Sequence, residues 1–230
     1  MEKRTFFLLL FLFTFCSSWT EEIKERFLGQ DKLIYKVYFN KVYVGKIEWK
    51  YLGKERVSGR EAEIIYLDSD TKILYFLNLK SKEKVFLDIE THLPLKVERE
   101  VIFFEKKELI QETYLQEEGI IRIIKKNSKD KEKILHQESP IHNILALLYF
   151  FPKDIELKIG KVLHFNLPTQ KLKIRVISLK KINTREGKKD VYFLLGRGKR
   201  KFRLYLDKRS RLPLRLEFPL TIGKIEILKN

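Results

Sequence analysis

Along most of this chain apolar residues recur at every second position, the period of a half-buried β-strand. Residues 33–39 (LIYKVYF) are rich in aromatic and β-branched residues, Asn40 and Lys41 offer a turn, and residues 42–51 (VYVGKIEWKY) return. Together they predict an opening hairpin, with Gly45 marking a bulge or bend inside its second strand. A second hairpin is expected from residues 63–67 and 73–79, with Asp68, Ser69 and Asp70 as its turn. Strands over 84–87, 95–104, 109–115, 120–125 and 132–136 continue as a meander. They resume over 161–167, 172–179, 191–195, 201–206, 214–218 and 223–228, with 196–199 as a tight hairpin link. In 172–179 the alternation turns Leu172, Ile174 and Val176 inward and Lys171, Lys173 and Arg175 outward.

One segment has a different period. Residues 139–151 predict a helix that Ser139 caps, Pro140 opens and Pro152 stops. Apolar residues surround most of it, so it packs against a sheet. The fold class is therefore mainly β. The expected architecture is a curved antiparallel sheet or partly open barrel, with one central helix.

A repeat sharpens this picture. Residues 85–98 read VFLDIETHLPLKVE and residues 204–217 read LYLDKRSRLPLRLE. Asp88 and Pro94 in the first match Asp207 and Pro213 in the second. The likeness extends back to residues 59–66 and 187–192. Aspartate at a turn start accepts backbone N–H groups, and proline at a strand entrance needs no ladder donor. The phrase reads as a hairpin connection rather than as catalytic chemistry. It predicts one domain of two similar halves, about 29–137 and 153–230, joined by the helix.

Lys3 and Arg4 precede a ten-residue apolar stretch, 6–15, interrupted only by Thr14, and then Cys16, Ser17 and Ser18. This is the pattern of an export signal cleaved after Ser18. The alternative is lipidation at Cys16. Ten residues rise about 15 Å in a helix, half of what a bilayer core requires. Cys16 is the single cysteine, so a processed chain has no disulfide and no thiolate chemistry.

The formal charge is +17, and it is unevenly placed. Residues 153–230 hold 22 Lys and Arg against 7 Asp and Glu, whereas residues 19–152 hold 24 against 23. The cations concentrate in Lys171, Lys173 and Arg175 on one strand and Lys199, Arg200, Lys201 and Arg203 at one hairpin. For an exported chain such a face suits anionic lipid or another envelope polyanion, and no nucleic acid is expected. The bland counterpart is a solvated lysine-rich surface that blunts sheet edges. The aromatic residues suit either a packed core or an acyl-chain cavity.

Catalytic motifs do not emerge. The histidines, at 92, 136, 142 and 164, lack metal-ligand spacing, and no nucleophile elbow or phosphate loop is present. The residues predict no metal and no cofactor. Three readings stay open: a non-enzymatic envelope protein binding lipid or another apolar ligand, an interaction module docking on an envelope protein, and a hydrolase of envelope glycan or lipid.

The chain resembles the exported bacterial proteins grouped as domain of unknown function 3108. The likeness rests on residues 29–51 (L-x-Y-x-V-x-F, then V-G-K-I), 142–151 and 205–228. The resemblance implies a periplasmic, mostly antiparallel β protein with a curved, partly open barrel, and no catalytic residue. More loosely, the pattern is similar to lipoprotein-carrier folds, which hold acyl chains between a concave sheet and helices.

Overall fold

The computed structural model describes residues 32–73, 77–103, 105–126, 130–149 and 155–230. The expected export signal and Cys16 lie outside them. Eight strands come first: β1 (Lys32–Phe39), β2 (Val42–Val57), β3 (Arg60–Ile73), β4 (Leu77–Asp88), β5 (Pro94–Phe103), β6 (Lys106–Leu115), β7 (Ile120–Lys126) and β8 (Lys131–His136). A six-residue helix, α1 (Ile144–Tyr149), follows. Six strands complete the chain: β9 (Val162–Leu167), β10 (Gln170–Thr184), β11 (Gly187–Arg197), β12 (Lys201–Asp207), β13 (Pro213–Leu220) and β14 (Gly223–Lys229).

All fourteen form one antiparallel sheet in the order β8-β7-β6-β5-β4-β3-β2-β1-β14-β13-β12-β11-β10-β9. The pairing of β1 with β14 joins the two ends of the chain at its middle. The edges β8 and β9 do not pair with each other, so the barrel is not closed by a ladder. Residues 137–142 lace across the gap instead. The Gln137 N–H donates to Gly119 O (2.8 Å), and its side-chain amide donates to Leu167 O (2.9 Å). The His142 N–H donates to Asn166 O (2.7 Å), and Ile141 forms a parallel bridge to Asn166.

Two expectations need correction. Asp68, Ser69 and Asp70 are not a turn but the middle of β3, paired with Lys82, Ser81 and Lys80. Alternation puts both aspartates outside, opposite lysines, and this cross-strand charge pairing overrides their turn composition. The helix is also shorter than 139–151. Asn143, not Ser139, caps it: its Oδ1 accepts from the Leu145 and Ala146 N–H groups (2.8 and 3.3 Å). Ser139 and Ile141 are used by the strap, which withdraws them from the helix.

The pairing register reveals a repeat longer than the sequence phrase. Trp49 faces Leu67 as Ile174 faces Gly196, and Ala62 faces Asp88 as Val191 faces Asp207. Val97 faces Glu112 as Leu216 faces Ile227. Bulges recur at Leu52 and Ile177, and again where β4 and β12 meet the prolines of β5 and β13. Strands β1–β6 and β9–β14 thus match one another in register, strand for strand, as a first and a second copy, and among the described residues β7, β8 and α1 have no counterpart.

The inner faces of both copies, with α1 against them, form one apolar cluster. Tyr35, Trp49 and Tyr149 meet there ring to ring, with centroids 5.2 and 6.2 Å apart. One row of the first copy is polar instead. Arg99 donates twice to Glu83 (2.6 and 3.0 Å) and once to Glu112 (3.3 Å). Tyr114 donates to Glu112 (2.6 Å) and also bonds Asn143, the cap of α1. The matching residues of the second copy are Phe202, Phe218 and Ile227.

Candidate functional site

The repeated phrase builds the same turn twice. Asp88 Oδ1 accepts from the Glu90 and Thr91 N–H groups (3.0 and 2.9 Å) and from the Thr91 hydroxyl (3.2 Å). Asp207 Oδ1 accepts from Arg209, Ser210 and the Ser210 hydroxyl (2.9, 2.7 and 3.1 Å). His92 and Arg211 take left-handed φ values of 55° and 61°, and Pro94 and Pro213 each open the next strand. Asp88, Pro94, Asp207 and Pro213 thus shape the two turns and the strands that follow them.

The predicted cations come together on the outer face of the second copy. A hollow of about 480 Å³ opens over β10, β11, β12 and β13. Lys173, Arg175, Arg197, Lys201 and Arg203 line it, with Ile177, Leu195 and Pro219 as its apolar part. Strand register sets the arrangement. Lys173 faces Arg197, which faces Lys201, giving three cations side by side at about 4.8 Å strand spacing. In the next row, about 7 Å along, Leu195 separates Arg175 from Arg203. Arg203 bonds Glu217 (3.3 Å), whereas the other four cations have no carboxylate within 4 Å among the described residues.

A third row is aromatic. Phe193 stacks on Tyr205 with centroids 5.0 Å apart, and Lys180 lies 4.1 Å over Phe193. Arg215 sits 5.5 Å from the Tyr205 centroid, forms an ion pair with Glu217 (2.6 Å) and donates a hydrogen bond to Glu226. Burial works to raise the Glu226 pKa, but Lys224 and Arg215 outweigh it and hold the carboxyl below its ordinary value. Burial first, then Glu217, raises the Tyr205 hydroxyl.

Of the remaining predicted cations, Lys199 and Arg200 are exposed on the β11–β12 turn beside the hollow. Lys171 points outward but is spent on Glu138 of the strap (2.8 Å). Arg197 was hidden inside a Gly-Arg-Gly stretch that reads as a turn. Continuing the outward parity of Phe193 and Leu195 by two residues would have found it.

The first copy shows that this row is no requirement of the fold. The equivalents of Lys173, Arg197 and Lys201 are Glu48, Asp68 and Lys82. Glu48 is surrounded by Lys32, Lys46 and Lys50 within 4 Å, and its pKa is lowered mainly by the Lys46 hydrogen bond. Like charges directly opposite one another destabilise a sheet, so three in a row point to a partner for them. Buried carboxylate pairs also occur, but cations engage each of them: Glu83 and Glu112 share Arg99, and Glu217 and Glu226 share Arg215, with Arg203 also on Glu217 and Lys224 on Glu226.

No family model and no curated protein matches the chain. A solved β-barrel-like protein of domain of unknown function 1849 from Brucella abortus superposes with a TM-score of 0.60 at 8% identity. The match covers 86% of this chain and 94% of that one. A structure named "putative lipoprotein" from Parabacteroides distasonis has 7% identity over 87% of this chain and 94% of that one. Its TM-score of 0.28 carries no argument. The class defined here is therefore a mainly antiparallel, β-barrel-like fold with an unclosed fourteen-stranded sheet. Among the described residues no helix is long and apolar enough to cross a membrane.

Proposed function

We propose that this is a non-enzymatic protein of the bacterial envelope that holds an anionic envelope component on the basic face of its second copy. The observation that carries the proposal is the difference between the copies. Around the hollow the second copy places five cations near Glu217, whereas the first copy places Lys50, Lys82 and Lys84 among Glu48, Asp68, Glu98 and Glu100. Export follows from the leader-like residues 1–18, and the resemblance to the domain of unknown function 3108 family belongs to the same proposal.

Other readings gain less support. Interior aromatics pack on one another, which disfavours an acyl ligand in their place. Phe104, Phe150 and Phe151, also candidates to line such a cavity, lie outside the described residues. Lys131, Glu132 and Lys133 blunt the β8 edge against docking by strand addition. The buried acids are each paired with an arginine, a role in the fold that accounts for them without catalysis.

The test is binding of the chain to a soluble polyanion such as polyphosphate. Each well-placed cation contributes about 1 kcal/mol near an anionic surface, so neutralising Lys173, Arg197, Lys201 and Arg203 to Gln weakens binding by up to about a thousandfold. Binding that survives both this variant and high salt would reject the proposal.

A further inference from the structure

We infer that the neighbouring turns β1–β2 and β13–β14 form an apolar tip that enters the head-group layer of an anionic bilayer. This deepens the proposal above, on which it rests, by naming phospholipid as the source of the anion. The β13–β14 turn is Thr221 and Ile222, between the paired residues Leu220 and Gly223. Two-residue hairpin turns favour Asn, Asp and Gly, and a β-branched apolar residue there serves neither turn chemistry nor a core. Ile222 is nevertheless 75% exposed. Beside it, at the start of β2, Val42 is 65% and Tyr43 53% exposed.

The two turns are held as one unit. Asn40 donates its N–H to Lys224 O (2.9 Å), accepts the Lys224 N–H at Oδ1 (2.8 Å), and donates its amide to Ile222 O (3.4 Å). Tyr38 packs edge-on against Tyr43 at 5.9 Å. Scattered exposed apolar residues are ordinary, but here a rigid pair of turns presents them together.

Charge chooses the occupant. Lys41 flanks the tip, Lys224 behind it is paired with Glu226 (3.0 Å), and Pro219 at the end of β13 belongs to the cationic hollow beside it. Apolar side chains that enter about 5–10 Å, with lysine and arginine at the head-group level, are the arrangement of an interfacial anchor on anionic lipid. A protein partner would call for acidic groups facing each cation, whereas a lipid surface supplies them at every spacing.

The experiment uses the chain from Trp19 onward, which holds every described element and no cysteine. Ile222→Cys is labelled with an environment-sensitive dye and mixed with phosphatidylcholine vesicles, with and without phosphatidylglycerol. The expected result is a blue shift and co-sedimentation with the anionic vesicles only. In the unlabelled pair Tyr43→Ser with Ile222→Asp, co-sedimentation weakens about tenfold or more while polyphosphate binding is unchanged. Dye that stays in water on vesicle-bound protein, or absence of vesicle binding alongside intact polyphosphate binding, overturns the bilayer inference and leaves the hollow standing. Loss of both kinds of binding in the unsubstituted chain overturns both.

Discussion

Replacing Arg99 by Met leaves Glu83 and Glu112, 6% and 7% exposed, without their counter-charge inside the sheet. Burial works against the Arg99 charge, but Glu83 and then Glu112 more than offset it and hold the guanidinium pKa above its ordinary value. Breaking a buried pair from one side costs about 3–5 kcal/mol, and the lower figure applies because the Arg99 side chain is 25% exposed. A loss of about 3 kcal/mol lowers Tm by about 6–12 °C for a chain of this size. The second copy supplies the control. Glu83→Phe, Arg99→Phe and Glu112→Ile together reproduce the row Phe202, Phe218 and Ile227, and exchanging a buried ionic row for packed apolar residues is neutral or stabilising. Urea unfolding, followed by tryptophan fluorescence, measures both variants. A cost below about 1 kcal/mol for Arg99→Met, or a triple variant as unstable as the single one, would refute the reasoning.

Asp207→Ala removes the acceptor of three donors and is expected to cost about 1–2 kcal/mol, or about 2–8 °C in Tm, while Asp207→Asn, which keeps Oδ1, costs less. Asp88→Ala should behave alike in the same thermal scans. His142, edge-on to Phe165 at 5.2 Å, has its pKa lowered by burial, with backbone bonds at Asn166 and Pro140 opposing. A depressed folded pKa means that its stability contribution is complete above the unfolded value, about 6.5, and is lost as pH falls below it. Tm should therefore drop between about pH 7.5 and pH 5.5, and drop less in His142→Gln. A Cβ at Gly196 would lie 2.0 Å from Phe202 Cζ, so Gly196→Ala costs about 1–3 kcal/mol and Phe202→Leu recovers part of it, as chemical denaturation would show.

Much of the barrel was legible because its strands alternate. Leu172, Ile174 and Val176 are buried, and Lys171, Lys173 and Arg175, which alternate with them, are exposed, as parity requires. Gly45 falls beside a bulge for a reason the sequence hides: a side chain there would meet Asp70 O at 2.1 Å. Length was harder to read. Strand β3 runs through Asp68, Ser69 and Asp70 because lysines of β4 face the aspartates, a contact between residues 10 to 14 positions apart. The helix lost its first residues to a strap whose partner strand begins at Val162. The inner row Glu83, Arg99 and Glu112 was invisible for the same reason: charge in a strand reads as surface until register shows which way it points. Register, which sequence does not print, also doubled the length of the repeat and brought Arg197 into the hollow.

Anion binding by the outer row of the second copy is the proposal on which the others rest. Calorimetric titration with polyphosphate of the chain carrying Lys173→Glu and Arg197→Asp tests it most directly. These are the first copy's own residues at the same register, Glu48 and Asp68, so the sheet accepts them. The expected result is a folded protein with unchanged Tm and binding reduced by about a hundredfold or more, since two attractive charges become repulsive. Undiminished binding by that folded variant would contradict the proposal.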